Sequence, residues 1–340
     1  MDPLTQGIVG VSASQLVTRR AEAGLAAALG FLSGMAADLD VLISSTTDPL
    51  LFLEYHRHFT HALVFIPVGA LICAIGLRFL LSRFVRRAQL SWARTYLYCF
   101  AGYATHAVLD ACTTYGTQLF WPFSDARVAW NTVSVIDPLF TVPLLIFMCV
   151  AVLRRSRVAA VIGATYAVAY LGAGLLQEQR ATLVAASLAE QRGHQPTQLG
   201  VKPSFANLLV WKSVYLHDGQ YYIDAVRVGF NVKVYPGVAT AKVVLDQHFP
   251  WLLKDSQQAR DVERFAWFSN DHLGIDPANS ARIIDVRYSL IPNQVTGMWG
   301  IVLDPSAANN QHVTWTTNRP KGDEARVKGR ELWQMIRGQD

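Results

Sequence analysis

The apolar positions of this chain form long unbroken runs in its first half and short alternating or helical patterns in its second. Three runs, roughly 62–81, 137–153 and 158–176, approach the ~20 residues that cross a bilayer core, the second being short. A fourth, 95–112, is apolar except where it carries His106 and Asp110. The stretches 4–18 and 21–37 are shorter and rich in Ala, Gly and Leu. They read either as a closely packed helical hairpin, where small residues let backbones approach, or as a re-entrant pair that never fully crosses. After about residue 177 the periodicities change. LLVWKSVYLHDGQYYIDAVRVGF (208–230) predicts two strands joined at Asp218-Gly219. KVVL (242–245), RIIDVRYSL (282–290) and WGIVLD (299–304) are further strand candidates, while 255–268 and 323–337 have helical periodicity. The expected fold class is an α-helical membrane domain of about six helices, residues 1–177, followed by a smaller soluble α+β domain with a mostly antiparallel sheet, residues 178–340.

Charge placement gives these spans an orientation. The net charge of +5 conceals a first half without lysine, whose arginines cluster between apolar runs. Arg19 and Arg20 form one cluster, Arg83, Arg86, Arg87 and Arg94 a second, and Arg154, Arg155 and Arg157 a third. With all three on the cytoplasmic side, the chain crosses six times and both termini face outward. In the second half 18 Lys and Arg stand against 16 acids, which leaves no basic face for nucleic acid. Cys73, Cys99, Cys112 and Cys149 have no metal-finger spacing and read as small apolar packing residues. The Met-Asp-Pro opening lacks the basic region of a cleaved signal peptide.

This orientation places Asp2, Asp38, Asp40, His56, His61, His106 and Asp110 at the outer ends of their segments. Ionisable groups in apolar spans are costly, so their default reading is functional. His106 and Asp110 are four apart and share one helical face. Counting ~1.5 Å per residue from the cytoplasmic end puts His106 roughly 16 Å into the bilayer. His56 and His61 meet if a helix begins near Thr60. Asp38 and Asp40 close their segment where the helix dipole disfavours carboxylates, so a positive group nearby is expected. Imidazole and carboxylate together suit Zn²⁺, Mn²⁺ or Fe²⁺, zinc first, and six groups allow one or two ions. Any one of these histidines alone is as simply a core residue bonded to a carbonyl. Their joint occurrence makes the site. Arg57 either anchors at the interface or holds an anionic substrate. His58 is expected to face solvent or headgroups. Trp121, Phe120, Phe123 and Trp130 suit an interfacial aromatic belt and could also guide a lipid tail.

MDPLTQ (1–6), ADLD (37–40), HRHFTHAL (56–63) and GYATHAVLDACTTYGTQLFWPF (102–123) together resemble the bacterial family of LexA-regulated, membrane-bound metal-dependent hydrolases. The resemblance is firm in the membrane half and less distinct through 210–223 and 283–301. It implies a multi-pass inner-membrane protein with a metal-hydrolase site at Asp38, Asp40, His56, His61, His106 and Asp110. It also hints at kinship with zinc-dependent phospholipases C and P1-type nucleases. The chain departs from the family at Gln6, where histidine is usual. Glutamine is a poorer zinc ligand, so Gln6, like Asp2, supports the ligands from behind, or one metal of a pair is weakened.

The function expected is hydrolysis of a lipid or lipid-linked phosphoester at the outer face, with Asp38, Asp40 and Arg57 as catalytic candidates and membrane lipids as partners. Three rivals stand beside it. A haem-binding electron carrier would use His61 and His106 as axial ligands. A proton-coupled transporter would use an Asp/His relay. A metal-stabilised scaffold would have no catalysis. The second domain carries no Walker loop, nucleophile elbow or dinucleotide fingerprint, and it suits a gating or partner-binding role.

Overall fold

In the computed structural model, which describes residues 1–339, the chain forms two compact units. The first comprises Met1–Leu42 and Tyr55–Leu175, and the second takes Ile43–Glu54 together with the residues from Leu176 onward.

The first unit is built from α1 (Pro3–Val17), α2 (Ala23–Met35), α3 (Ile66–Leu80), α4 (Trp92–Ala111), α5 (Pro138–Leu153) and the first part of α6 (Arg157–Gln191). The starts of α1, α4 and α5 are capped by Asp2, Ser91 and Asp137, whose side chains accept from backbone N–H groups one turn in. Pro3 and Pro138 occupy first-turn positions where no intrahelical donor is lost. Helices α1, α2 and α4 approach at glycine contacts. A methyl group at Gly10, Gly30 or Gly102 would collide with the backbone or a serine side chain of a neighbouring helix. The small residues of 4–18 and 21–37 thus form a tight hairpin, with α4 as its third member.

Three helical stretches, Arg20–Leu42, Leu63–Leu80 and Arg157–Gln191, are long and apolar enough to cross a membrane, and Pro138–Leu153 is shorter. Among the described residues length and apolarity single out these three stretches, and the six crossings expected are not confirmed by them. The reason lies in α1 and α4, which bury polar groups inside the bundle. Thr5, Gln6, Ser12, Ser14 and Gln15 are buried on α1, and Thr95, His106 and Asp110 on α4. Helices α3, α5 and α6 expose apolar side chains such as Ile72, Phe79, Ile146 and Val168. At the other end of α4, Arg94 pairs with Glu22 at 2.6 Å and its guanidinium also meets Tyr98.

The second unit contains two antiparallel four-stranded sheets. One is ordered β1 (Gln198–Pro203), β2 (Val210–His217), β3 (Gln220–Val228), β4 (Val232–Ala241); the other is β5 (Leu273–Asp276), β6 (Asn279–Asp285), β7 (Trp299–Val302), β8 (Thr314–Thr317). The β2–β3 hairpin turns at Asp218 and Gly219, both at positive φ, as the Asp-Gly signal requires. Ile223 and Ile284 share the core between the sheets. The C-terminal part of α6 packs Ala181 and Ala185 on Trp211 and Val226, and α8 (Gly322–Arg337) packs Leu332 and Met335 on Val210 and Ala225. KVVL (242–245) is not a strand. Lys242 makes a single bridge to Gly274, and Leu245 opens a short helical turn. The strand lies just before it, as β4.

The segment 43–54 interrupts the first unit between Asp40 and His56. Arg264 of α7 (Gln257–Phe268) donates to both oxygens of Asp48, at 3.0 and 2.7 Å, and also pairs with Glu54. Phe52 packs edge-on against Trp315 with ring centroids 5.3 Å apart.

Candidate metal centre

Four side chains converge where α4 ends. Asp38, His61, His106 and Asp110 each offer one ligand atom, and all four atoms lie within 4.8 Å of one another. Three chain segments deliver them. Helix α2 tightens at Met35 into a 3-10 turn, Ala36–Leu42, which carries Asp38 and Asp40. Arg57, at φ 65°, reverses the chain into a second 3-10 turn, Phe59–His61. That turn is tied to α4 by the Tyr103 hydroxyl, which donates to the Thr60 carbonyl at 2.8 Å. His106 and Asp110 come from α4 itself, their facing atoms 3.8 Å apart as the four-residue spacing predicts.

The ring hydrogens can be assigned from their partners. His106 Nδ1 lies 2.6 Å from the Gly34 carbonyl oxygen. A carbonyl only accepts, so Nδ1 carries the hydrogen and Nε2 of the neutral ring is a bare lone pair. The close packing of α2 on α1 and α4 at Gly30, Gly34 and Gly102 brings this carbonyl within reach. At His61, Nδ1 lies 3.0 Å from Thr60 Oγ1 and 3.2 Å from Asp40 Oδ2. The Thr60 hydrogen is already donated to Asp40 at 2.8 Å, so His61 Nδ1 donates here too. The two Nε2 atoms then face each other at 3.0 Å. With both rings neutral these lone pairs would repel, which a cation between them, or a proton on His61 Nε2 facing His106 and Asp110, would relieve.

The carboxylates complete the set. Asp38 Oδ1 is 3.3 Å from His106 Nε2 and 3.6 Å from His61 Nε2, and Asp110 Oδ2 is 3.3 Å from His61 Nε2. A tetrahedral ion with bonds of about 2.05 Å holds its ligands roughly 3.3 Å apart. Five of the six separations, 3.0 to 3.8 Å, bracket that edge, and the Asp38–Asp110 separation is within 4.8 Å. Asp110 Oδ2 is fully buried and accepts no hydrogen bond. A buried carboxylate oxygen that is ion-paired with Arg57 but accepts no hydrogen bond, and two imidazole Nε2 atoms at one point, fit a divalent cation.

The other predicted residues surround this point. Asp40 is not among the four. Its Oδ1 takes His56 Nδ1 at 2.7 Å, and its Oδ2 accepts from the Arg57 backbone N–H at 3.0 Å and from Thr60. It orients His61 as carboxylates behind metal-bound histidines do. His56 is partly exposed and linked to the site through Asp40. Arg57 is buried, its Nε 3.0 Å from Asp110 Oδ2, its Nη1 donating to Thr113 Oγ1 at 2.9 Å, its guanidinium over the Tyr115 ring. It does not stand free for an anionic substrate. Gln6 donates to Asp110 Oδ1 at 2.7 Å. The Met1 amino group pairs with the same oxygen, a contact the sequence did not suggest. Asp2 caps α1 instead of facing the cluster. His58 is half-buried against Tyr55, Phe59 and Trp121 rather than turned to solvent.

If Asp40 acts by holding His61, Asp40→Asn should weaken metal binding by about 10–100-fold without abolishing it. A chelator competition titration on the purified protein reads this. Unchanged affinity would mean that His61 is oriented without Asp40.

The model of the YdjM inner membrane protein family matches residues 1–181, the stretch that carries every group described above, and the chain belongs to that family. No curated protein and no solved structure matches the chain.

Proposed function

We propose that this member of the YdjM inner membrane protein family is a metal-dependent hydrolase that cleaves a phosphoester in a lipid or lipid-linked molecule. The observation that carries the reading is the convergence of two imidazole Nε2 atoms and two carboxylate oxygens on one buried point. Two nitrogens and two oxygens in this spacing favour zinc, with manganese or iron as the alternatives. A divalent ion there would polarise a phosphoryl oxygen and make a water acidic enough to attack at neutral pH. The chain's own residues set the conditions. His61 and His106 are locked by Asp40 and Gly34, and Arg57 holds Asp110 in place. Asp38, whose side chain is 17% exposed, is the ligand nearest an entering molecule, whereas the other three are fully enclosed. Exposed Phe120, Phe123 and Trp130 in the following loop suit an amphiphile better than a soluble sugar or peptide.

Incubation with mixed membrane lipids, followed by mass analysis of products, tests the substrate class. Metal-dependent cleavage that Asp38→Ala abolishes is expected. Unchanged lipids after zinc, manganese and iron loading, with cleavage of a water-soluble phosphoester, would contradict the lipid assignment alone.

A second reading has its own observation. Four protein donors close a tetrahedron, as in structural sites, whereas catalytic sites leave a position open. A metal-stabilised scaffold would keep its metal and turn over neither substrate. The haem reading fares worse, because the His61 and His106 rings meet edge to face with centroids 4.6 Å apart, leaving no room for a porphyrin between them.

The arginine clusters support an orientation with this site toward the outer face and the second unit outside the cytoplasm. A periplasm-dependent reporter fused after the C-terminus is expected to be active, and one fused in the loop 82–94 inactive. The reverse pattern would turn the site toward the cytoplasm.

A further inference from the structure

The sheet β1–β4 has two ends of different character. Its far end is the polar Asp218-Gly219 turn between β2 and β3. The near end holds the β1–β2 connection, 204–209, and the β3–β4 connection, 229–231, because alternate hairpins of an antiparallel sheet turn at the same end. Each near-end loop presents an aromatic side chain to the outside. Phe205 is 47% exposed and Phe230 fully so, at 110%. A phenylalanine standing that far out of a domain forgoes the burial its ring would gain in the core.

Both loops are fastened to α6 at one place. Gln177 Nε2 donates to the Leu208 carbonyl at 3.0 Å and to the Val228 carbonyl at 2.7 Å, and Arg180 donates to the Gly229 carbonyl at 2.7 Å. Gln177 is also where the apolar run of α6 ends. Leu175 and Leu176 just before it are exposed, and the helix continues as Gln-Glu-Gln-Arg. The two phenylalanines therefore lie beside the point at which a membrane-crossing helix changes from apolar to polar.

Cations surround the tip. Two shallow depressions flank Phe230, one lined by Arg227, Val232, Lys233 and Arg337, the other by Gln177, Arg180, Leu209 and Arg227. Arg337 reaches this edge because the end of α8 is held there, with Arg227 Nε donating to the Ile336 carbonyl at 2.8 Å. Among the described residues neither depression has an acidic residue in its lining, and Arg180, Arg227 and Arg337 appear in no ion pair.

We propose that this edge of the second unit rests on the surface of the bilayer that α6 crosses, with Phe230 and Phe205 entering the headgroup layer and Arg180, Arg227 and Arg337 meeting anionic phosphates. An apolar ring among arginines is the composition of an interfacial anchor, where the ring is buried at the acyl boundary and each cation gains from a negative surface. The occupant is a lipid surface because the patch is continuous with a helix built to cross one. The surface needs neither the metal centre nor the hydrolase reading.

The full-length chain, with its four cysteines replaced by alanine, is reconstituted into nanodiscs with a nitroxide on Asn231→Cys, beside Phe230, or on Asp218→Cys at the far end of the sheet. Collision with lipid-soluble oxygen and with a water-soluble nickel chelate is then measured by electron paramagnetic resonance. At 231 oxygen is expected to collide more than the chelate does, and at 218 the reverse. Adding phosphatidylglycerol to phosphatidylcholine discs should widen the contrast at 231, and Arg180→Gln with Arg337→Gln should erase that gain. Phe230→Asp, which removes no buried packing, should return the 231 label to water while 218 stays unchanged. A label at 231 as open to the chelate as that at 218, or one shielded from both reagents as by a protein partner, would overturn the proposal. Equal contrast in both lipid mixtures would overturn its electrostatic part.

Discussion

His106→Ala is expected to yield protein with almost no bound metal, where the unaltered chain retains about one ion per molecule. The imidazole is held by the Gly34 carbonyl with its Nε2 at the centre of the cluster, 3.0 Å from His61 and 3.3 Å from Asp38. Removing it takes away one of four donors and opens a void between α2 and α4. The loss should exceed the roughly 10–100-fold typical of an orienting partner, because a bond to the metal itself is gone. His106→Gln, closer in volume, separates this from a packing defect and should also lose the ion while keeping the fold. Elemental analysis of protein purified without chelators reads both variants. Full occupancy in both would place the metal elsewhere.

The second large effect concerns Arg57. Its guanidinium, 4% exposed, lies against an Asp110 carboxylate that has no access to solvent. Truncating one partner of a buried pair leaves an uncompensated charge, at a cost of about 3–5 kcal/mol. Arg57→Met should therefore lower thermal stability in detergent sharply. Arg57→Met with Asp110→Asn should recover part of it, since neither charge is then stranded. Saturating zinc should stabilise Arg57→Met more than it stabilises the unaltered chain, because a cation beside Asp110 replaces the missing charge. If Arg57→Met melts as the unaltered chain does, Asp110 is compensated by the Met1 amino group and Gln6 alone.

Much of the site was legible from spacing. His106 and Asp110 are four apart on an apolar helix, which fixes their common face, and the cost of burying them marks them as functional. Asp38 and His61 followed from their recurrence at the ends of other apolar segments. The division of labour between Asp38 and Asp40 was not legible, because it depends on the 3-10 turn that ends α2 and sends the two carboxylates to different partners. The role of Arg57 was misjudged for a similar reason, since its inward path is set by a positive φ that no neighbouring glycine announces.

Elsewhere, local chemistry was read well and long-range pairing poorly. The Asp218-Gly219 turn fixed the β2–β3 hairpin. Strand β4 escaped notice because Pro236 and Gly237 interrupt its alternation, and the more apolar KVVL that follows drew the assignment to itself. The packing of 43–54 in the second unit rests on Arg264, more than two hundred residues away in sequence from Asp48, and no local pattern carries that information. The six crossings expected are not confirmed, because among the described residues only three helical stretches are long and apolar enough, and α1, which buries polar groups in the bundle, is not one of them.

The most direct test of the site is X-ray absorption at the metal edge of the purified, zinc-loaded chain. The geometry predicts a single first shell of two nitrogen and two oxygen neighbours at about 2.0–2.1 Å, with the outer-ring scattering of two imidazoles. That signal should be lost in His106→Gln. A sulfur shell at about 2.3 Å, an all-oxygen shell without imidazole scattering, or a spectrum unchanged in His106→Gln would contradict a metal centre formed by Asp38, His61, His106 and Asp110.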